Sequence, residues 1–486
     1  MGLVFVPLYI RYLGVEAYGL IGIFIVLQTW LALLDMGMTP TVNREVARHG
    51  AGVHSAESIC DLLRTFELVC YAIAAAIAVA FAIASGWIAR DWLNSQMLEV
   101  ADVARALSLM GVVAALRFVE GLYRGAILGF QRHAWLNTVA ATIATVRGGG
   151  AVMVLAWIGP TIQNFFIWQA LVSMLTVLLF YFEVHRRLPK ISRAPKPSLY
   201  AFTDVWKFAG GMFLTTVLAL ILTQVDKIIL SRVLTLEDFG SYMFATAVAG
   251  VLFQIIGPIA QSYYPRLTAL VVRGDDLALG VNYHQGAQLM TIMLVPAGLA
   301  LVFFPDVLLI AWTNNTKLVE HAAPVVAVLA AGTVLNGFMH IPYMLQLAYG
   351  WPTLAVRLNI VAVIFLIPAL FVAIPIYGPI GAALVWLTVN GGYVFFTAHF
   401  MHMRLLPGHK WRWYIQDMIL PTVSAIGIYT VAALLKPVFS QAWVGLVWVV
   451  VTACIATVAA FISLPDFKKT YKEIFSKNLN EDRLNA

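Results

Sequence analysis

Tyr12 to Gly19 reads YLGVEAYG, and Val233 to Gly240 reads VLTLEDFG. Leu13, Glu16, Tyr18 and Gly19 of the first copy fall opposite Leu234, Glu237, Phe239 and Gly240 of the second. In both copies a long apolar helix follows, ending in a proline and an arginine: Pro40 and Arg44, then Pro265 and Arg266. A repeat whose second copy begins near mid-chain points to two similar bundles facing a central site. That is the usual build of an alternating-access carrier.

Outward from the repeat the chain is 61% hydrophobic and 11% charged over 486 residues. Apolar runs of about 20 residues, long enough to span a bilayer, recur from end to end, which excludes a soluble multi-domain protein. The pattern predicts fourteen spans, at 1–13, 17–37, 62–88, 103–125, 134–158, 162–182, 206–230, 238–260, 285–305, 323–347, 353–375, 378–402, 414–436 and 442–463. The first is short, making roughly 20 Å of helix. Either the chain starts upstream of Met1 or this helix is truncated; there is no n-region or A-x-A-like cleavage site of a signal peptide. The seventh span carries the second repeat, so the fold class is all-α: a polytopic membrane protein of two six-helix lobes plus two C-terminal helices. The lobes are 1–182 and 206–402, joined by the charged linker 183–205. Spans 414–463 are appended, and 464–486 form a basic tail, Lys468-Lys469 to Lys477.

The net charge of +7 follows the membrane rather than a nucleic acid. Of the 31 Lys and Arg residues, twenty lie on one side and five on the other, namely Arg11, Arg90, Arg232, Lys317 and Lys436. That asymmetry places both termini in the cytoplasm. The remaining six, Arg105, Arg117, Arg124, Arg147, Lys227 and Arg357, lie inside or at the ends of apolar spans. Each costs roughly 2.5–3.5 kcal/mol near a bilayer centre, so a water-filled cavity holding an anion is the expected reason for them.

Cys60, Cys70 and Cys454 show no paired spacing, and His399 and His402 near a helix end have no acidic or sulfur partner in sequence, so neither a disulfide nor a metal site is expected. Pro258, Pro296, Pro342 and Pro368 interrupt spans and serve either as hinges or as static kinks. Gly148-Gly149-Gly150 is a close helix contact rather than a phosphate loop.

Arg117, Glu120 and Arg124 are spaced three and four apart and share one helix face. They form either a cavity wall or a packing pair, but one carboxylate cannot neutralise two guanidinium groups. Arg147 sits midway along its span with no acid within a turn or two, so its partner comes from another helix or a ligand. Asp226 and Lys227 point about 100° apart and are expected to meet different partners. Arg357 mirrors Arg124 or snorkels, and Arg105 is interfacial. The expected anion-binding set is therefore Arg147, Arg117, Arg124, Lys227 and Arg357. No Walker motif and no Gly-Lys pair occurs, which leaves an ion gradient as the driving force and no cofactor. Glu120, Asp226, Asp35 and His340 are the candidates to carry it, with Asp35 alternatively capping a helix. The last two spans carry almost no intramembrane charge, and either line a groove for a lipid tail or only stabilise the bundle.

The segments LGVEAYGLIGIF, LLDMGMTPTVNREVAR (Leu33 to Arg48), EGLYRGAILGFQRHAWLN (Glu120 to Asn137), QVDKIILSRVL (Gln224 to Leu234) and YYPRLTAL (Tyr263 to Leu270) carry a resemblance. The chain resembles the Wzx-type lipid-linked oligosaccharide flippases of the multidrug/oligosaccharidyl-lipid/polysaccharide exporter superfamily. The resemblance implies a bacterial inner-membrane protein with a cationic cavity. The cargo it implies is an oligosaccharide on undecaprenyl pyrophosphate, moved from the cytoplasmic to the periplasmic leaflet. Membrane lipid, a polysaccharide polymerase and a chain-length regulator are the implied partners. The short first span departs from the family pattern. A multidrug cation antiporter of the same superfamily is the main alternative, expected to have twelve spans and an acid-dominated cavity. A polymerase or glycosyltransferase would need a catalytic acid, often on a large external loop, and connection 305–323 carries only Asp306 and Glu320 as acids.

Overall fold

The computed structural model describes residues 2–35, 37–52, 55–196, 199–439 and 441–464, with the side chains of 2, 3, 32 and 199–215 outside the description. The tail from 465 onward lies outside it. Among the described residues the backbone forms helices and no strand, as a bilayer demands: each helix satisfies its own N–H and C=O groups where no water can. Twelve helices among the described residues are long and apolar enough to cross a membrane. They differ from the fourteen expected spans in two places. The first two spans join as one helix, α1 (Gly2–Leu31), and the seventh is α7 (Leu199–Val233), whose first half is described by backbone alone. Within α1, Gly14 adopts φ 83° and ψ 167°, so two helical arms meet at a break that only glycine enters without strain.

Two compact units divide the chain, Met1–Met243 and Phe244–Ala486. The first holds α1, α2 (Met38–Gly50), α3 (Ala56–Trp87), α4 (Val100–Gly129), α5 (His133–Trp157), α6 (Ile162–Arg187), α7 and the start of α8 (Leu236–Ala249). Its centre is α4, which packs on α3, α6 and α2. Gly125 and Gly129 let α2 lie against it: a Cβ on Gly125 would stand 2.6 Å from the Thr39 carbonyl, and one on Gly129 2.6 Å from that of Asn43.

The two repeat copies meet here. A Cβ on Gly19 would collide with the Leu236 carbonyl, and one on Gly240 with the Val15 carbonyl, so each glycine admits the backbone of the other copy. Glu16 binds the next connection instead of the partner copy: its carboxylate accepts from the backbone N–H of Gln96 at 2.7 Å and of Met97 at 2.9 Å.

The second unit continues with α9 (Phe253–Arg273), α10 (Asp276–Phe303), α11 (Pro305–Thr313), α12 (Thr316–Phe338), α13 (His340–Ala348), α14 (Thr353–Tyr377), α15 (Pro379–Gly392), α16 (Ala398–Leu405), α17 (Lys410–Arg412), α18 (Leu420–Leu434) and α19 (Ala442–Ser463). π-helical turns at Tyr393–Thr397 and Trp413–Ile419 join α15 to α16 and α17 to α18. The tenth expected span is broken at Met339, which places Pro342 in the first turn of α13, where its missing N–H costs nothing. α10 is the buried axis of this unit, and the last pair, α18 and α19, packs on it and on α11. Tyr429 of α18 is fully buried and donates to the Pro296 carbonyl at 2.7 Å. By contrast α14 exposes Ile360, Val361, Ile364, Phe365, Phe371 and Val372, the apolar face that lipid tails cover.

Candidate functional site

Four of the expected side chains assemble in the first unit. Spacing along α4 puts Arg117, Glu120 and Arg124 on one face, and Arg147 reaches them from α5. Glu120 lies between two cations: Arg124 Nη2 donates to Oε1 at 3.1 Å, and Arg147 Nη2 stands 3.6 Å from Oε2. Arg147 thus finds its acid on another helix, as its sequence surroundings require. Its side chain is 22% exposed, and neither its Nε nor its Nη2 has a hydrogen-bond partner among the described residues. Arg124 is more open, at 44%.

Arg117 is met by neutral groups. Its Nη1 donates to Gln28 Oε1 at 2.5 Å and its Nη2 to Gln169 Oε1 at 3.1 Å, with the guanidinium 5.2 Å from the Phe24 ring centre. Its Nε has no partner among the described residues. Amide dipoles and an aromatic face hold the cation in place without cancelling its charge. Three guanidinium groups therefore stand against one carboxylate.

Arg117 also lines a cavity of about 410 Å³, with Gln28, Leu31, Asp35, Thr39, Pro40, Ala114, Phe118 and Gly121. Asp35 faces that cavity while capping α2: Thr39 N–H donates to Oδ1 at 3.1 Å and the Thr39 hydroxyl at 2.8 Å. A planar guanidinium lining a cavity of this size is a geometry that grips phosphate oxygens.

Elsewhere the expectation for Asp226 and Lys227 is corrected. The two pair with each other, Lys227 Nζ lying 3.2 Å from both Asp226 oxygens, and Nζ also donates to the Thr223 carbonyl at 2.5 Å. The lysine stem is long enough to curl back across the 100° that separates the Cβ atoms, and burial rewards it for doing so. Tyr242 completes the group, donating to Asp226 Oδ2 at 2.5 Å. Arg105 is 72% exposed beside Asp102. Arg357 and His340 belong to the second unit. Arg357 is exposed on α14, and His340 Nε2 lies 3.2 Å from Asn336 Oδ1.

The last two spans carry a single buried acid, ahead of α18. Asp417, in the π-turn before α18, is fully buried, and so are its partners His284 and Gln288 on α10. Its Oδ2 bonds His284 Nδ1, and Gln288 Nε2 donates to Oδ1 at 2.8 Å. An acid a few residues inside an apolar run was the available signal; His284 stood one residue outside the expected ninth span. A second unforeseen group lies in the first unit. Buried Glu67 of α3 accepts from Tyr123 at 2.9 Å and pairs with Arg64 at 3.2 Å and His185 at 3.3 Å. Cys60, Cys70 and Cys454 are free thiols, and no cluster of three metal-ligating side chains occurs among the described residues.

A profile of the family described as polysaccharide biosynthesis protein matches residues 9–315. A Shigella flexneri protein provisionally named an O-antigen transporter is 20% identical over 376 residues, covering 77% of this chain and 87% of that protein. Among solved structures, the fold is similar to an inward-facing multidrug resistance MATE family transporter (TM-score 0.69, 13% identity, 83% of this chain and 93% of that one). It is equally similar to the lipid II flippase MurJ in an inward closed conformation (TM-score 0.68, 14% identity, 98% and 97%).

Proposed function

Because the chain belongs to the polysaccharide biosynthesis protein family of membrane proteins, we propose that it is a flippase for a lipid-linked oligosaccharide. Its cargo is a glycan on undecaprenyl pyrophosphate, carried from the cytoplasmic to the periplasmic leaflet by alternating access and driven by an ion gradient. The observation that carries this reading is the charge imbalance around Glu120. Arg117, Arg124 and Arg147 confront Glu120, and Arg117 lines a cavity that it shares with Asp35. An anion of high charge density would supply what the protein leaves out. A carrier for cations would be expected to reverse that balance.

Lys227, already paired with Asp226, contributes a fixed structural charge near the end of α7, and Arg357 supplies a headgroup contact. Of the coupling candidates read from the sequence, Asp35 is the one that faces the Arg117 cavity. Glu120 and Asp226 are held by cations, and His340 by Asn336. Two six-helix lobes are the proposed moving bodies, although the compact units, Met1–Met243 and Phe244–Ala486, keep α7 with the first. The appended pair α18–α19 is the proposed tail groove, next to a cavity of about 450 Å³ lined by Val307, Ile310, Phe439 and Gly445 with the Asp306–Lys436 ion pair. The MurJ alignment spans 98% of the chain, where the multidrug transporter spans 83%, and this favours a fold that keeps the appended pair. We place it in the inner membrane, and the basic loops support cytoplasmic termini; the polymerase and chain-length regulator of the same polysaccharide would act on the product.

The test is genetic. Arg147→Ala in the producing strain should abolish surface polysaccharide and pile up lipid-linked intermediates on the cytoplasmic side, with the protein still inserted. Unchanged surface polysaccharide would remove Arg147 from the site.

A further inference from the structure

Asp417, His284 and His409 form a chain of hydrogen bonds from the fully buried interior of the second unit to its edge. His284 bonds Asp417 through Nδ1 and reaches His409 Nδ1 through Nε2 at 2.9 Å, the two imidazoles stacked with centroids 5.1 Å apart. His409 sits half-buried in the short connection between α16 and α17, outside the membrane-spanning helices. Gly280 makes room for it: a Cβ there would stand 2.9 Å from His409 Cε1.

The heavy-atom geometry accommodates one extra proton without moving. With His284 neutral, its Nδ1–H donates to Asp417 and its Nε2 accepts from His409 Nδ1–H. A proton arriving at His409 Nε2 lets the Nδ1 proton of His409 pass to His284 Nε2. His284 is then an imidazolium donating to Asp417 on one side and to His409 on the other, and His409 has changed tautomer. No polar atom loses a partner in either state, and the added proton cancels the charge of a carboxylate with no solvent contact.

We propose that Asp417, His284 and His409 form a proton-binding site opening at the 406–409 connection, and that this proton is the ion whose gradient drives transport. The second clause rests on the transporter reading; the first does not. The site sits where a π-turn bends the chain between α17 and α18, a local geometry often found at functional positions. Burial, with His284 and Arg412 nearby, holds His409 below the ordinary imidazole range, so it passes a proton on rather than storing it.

The groups facing the site from each packed element are few. α10 brings Tyr283, α16 brings His402, α17 brings Lys410 and Arg412, and the π-turn brings Tyr414. α9 contributes Tyr263, against Gly286, with Arg266 close to that tyrosine. α13 carries His340 and Tyr343 as its titratable groups, with Tyr349 just past its end. α18 and α19 carry no Asp, Glu, His, Lys or Arg, and those of α12 (Lys317, Glu320 and His321) lie in its first two turns, at the end joined to α11. α10 also carries Asp276 in its first turn, two turns before His284, and α11 carries Asp306.

The experiment is a titration of the ¹⁵N-histidine signals of the full chain in nanodiscs, which needs no cargo. A signal absent from His284→Gln should pass from the neutral to the protonated imidazole form as the pH is lowered. Its midpoint should fall by about 1–3 pH units in Asp417→Asn, which keeps the shape and one acceptor oxygen. His409→Gln should slow proton exchange and leave the midpoint in place. A His284 signal that keeps one protonation state throughout, or holds its midpoint in Asp417→Asn, overturns the site and leaves the flippase reading standing. In proteoliposomes an imposed pH gradient should speed flipping by the wild type and not by Asp417→Asn. A response equal in both, or no flipping at all by a wild type that titrates as described, overturns the coupling clause.

Discussion

At Glu120 a single carboxylate answers two guanidinium groups, and removing it separates the packing role from the binding role. Glu120 is 8% exposed, so Glu120→Gln leaves Arg147 without an acid, and a broken buried pair costs about 3–5 kcal/mol. We expect a clear drop in the temperature at which the detergent-solubilised protein loses its fold. Arg124→Ala removes a half-open i,i+4 partner and should cost under about 1 kcal/mol in the same thermal scan. Equal effects from the two would mean that Arg147 draws no support from Glu120. The α4 face was legible in the sequence because three- and four-residue spacing fixes a helical side. The Arg147–Glu120 pairing was not, since which helix faces α5 is a matter of packing. Asp226 and Lys227 show the converse failure, where backbone direction was read correctly and side-chain reach was underestimated.

The helices themselves follow from apolar length, and their interruptions do not. The breaks at Gly250–Leu252 and Met339 and the π-turns at 393–397 and 413–419 fall within or at the edges of apolar runs whose composition does not change there. Glycine marks the element-scale contacts that the repeat hinted at. Gly240→Val would drive two methyl groups into the Val15 carbonyl, so the variant should be largely lost from the membrane fraction, whereas Gly257→Ala, with open space around it, should accumulate normally. Matching yields for the two would refute the close approach of α1 and α8. Gly14→Ala tests the break in α1. Its φ of 83° with extended ψ costs a non-glycine residue about 1–3 kcal/mol, to be read as a lower thermal midpoint.

Across the whole molecule, basic residues set the orientation. Cysteines placed singly at 130, 190 and 408 should react with an impermeant thiol reagent only when it has access to the cytoplasmic face, and cysteines at 97 and 314 only from the other face. Labelling in the opposite sense would invert the direction of transport. Membrane class, span order and the cationic character of the first unit were readable from the chain alone, because bilayer insertion penalises every charge that has no purpose. The buried acid of the second unit was not, since its imidazole partner comes from a helix far away in sequence. The central claim is that the unbalanced arginines serve a pyrophosphate-linked cargo. Its most direct test is translocation of a fluorescent polyprenyl-pyrophosphate glycan by the purified chain in liposomes. The wild type should flip it, Arg117→Ala and Arg147→Ala should not, and a cationic lipid analogue should be transported little. Flipping of the pyrophosphate glycan at the rate of protein-free liposomes, or undiminished by both substitutions, would contradict the central claim.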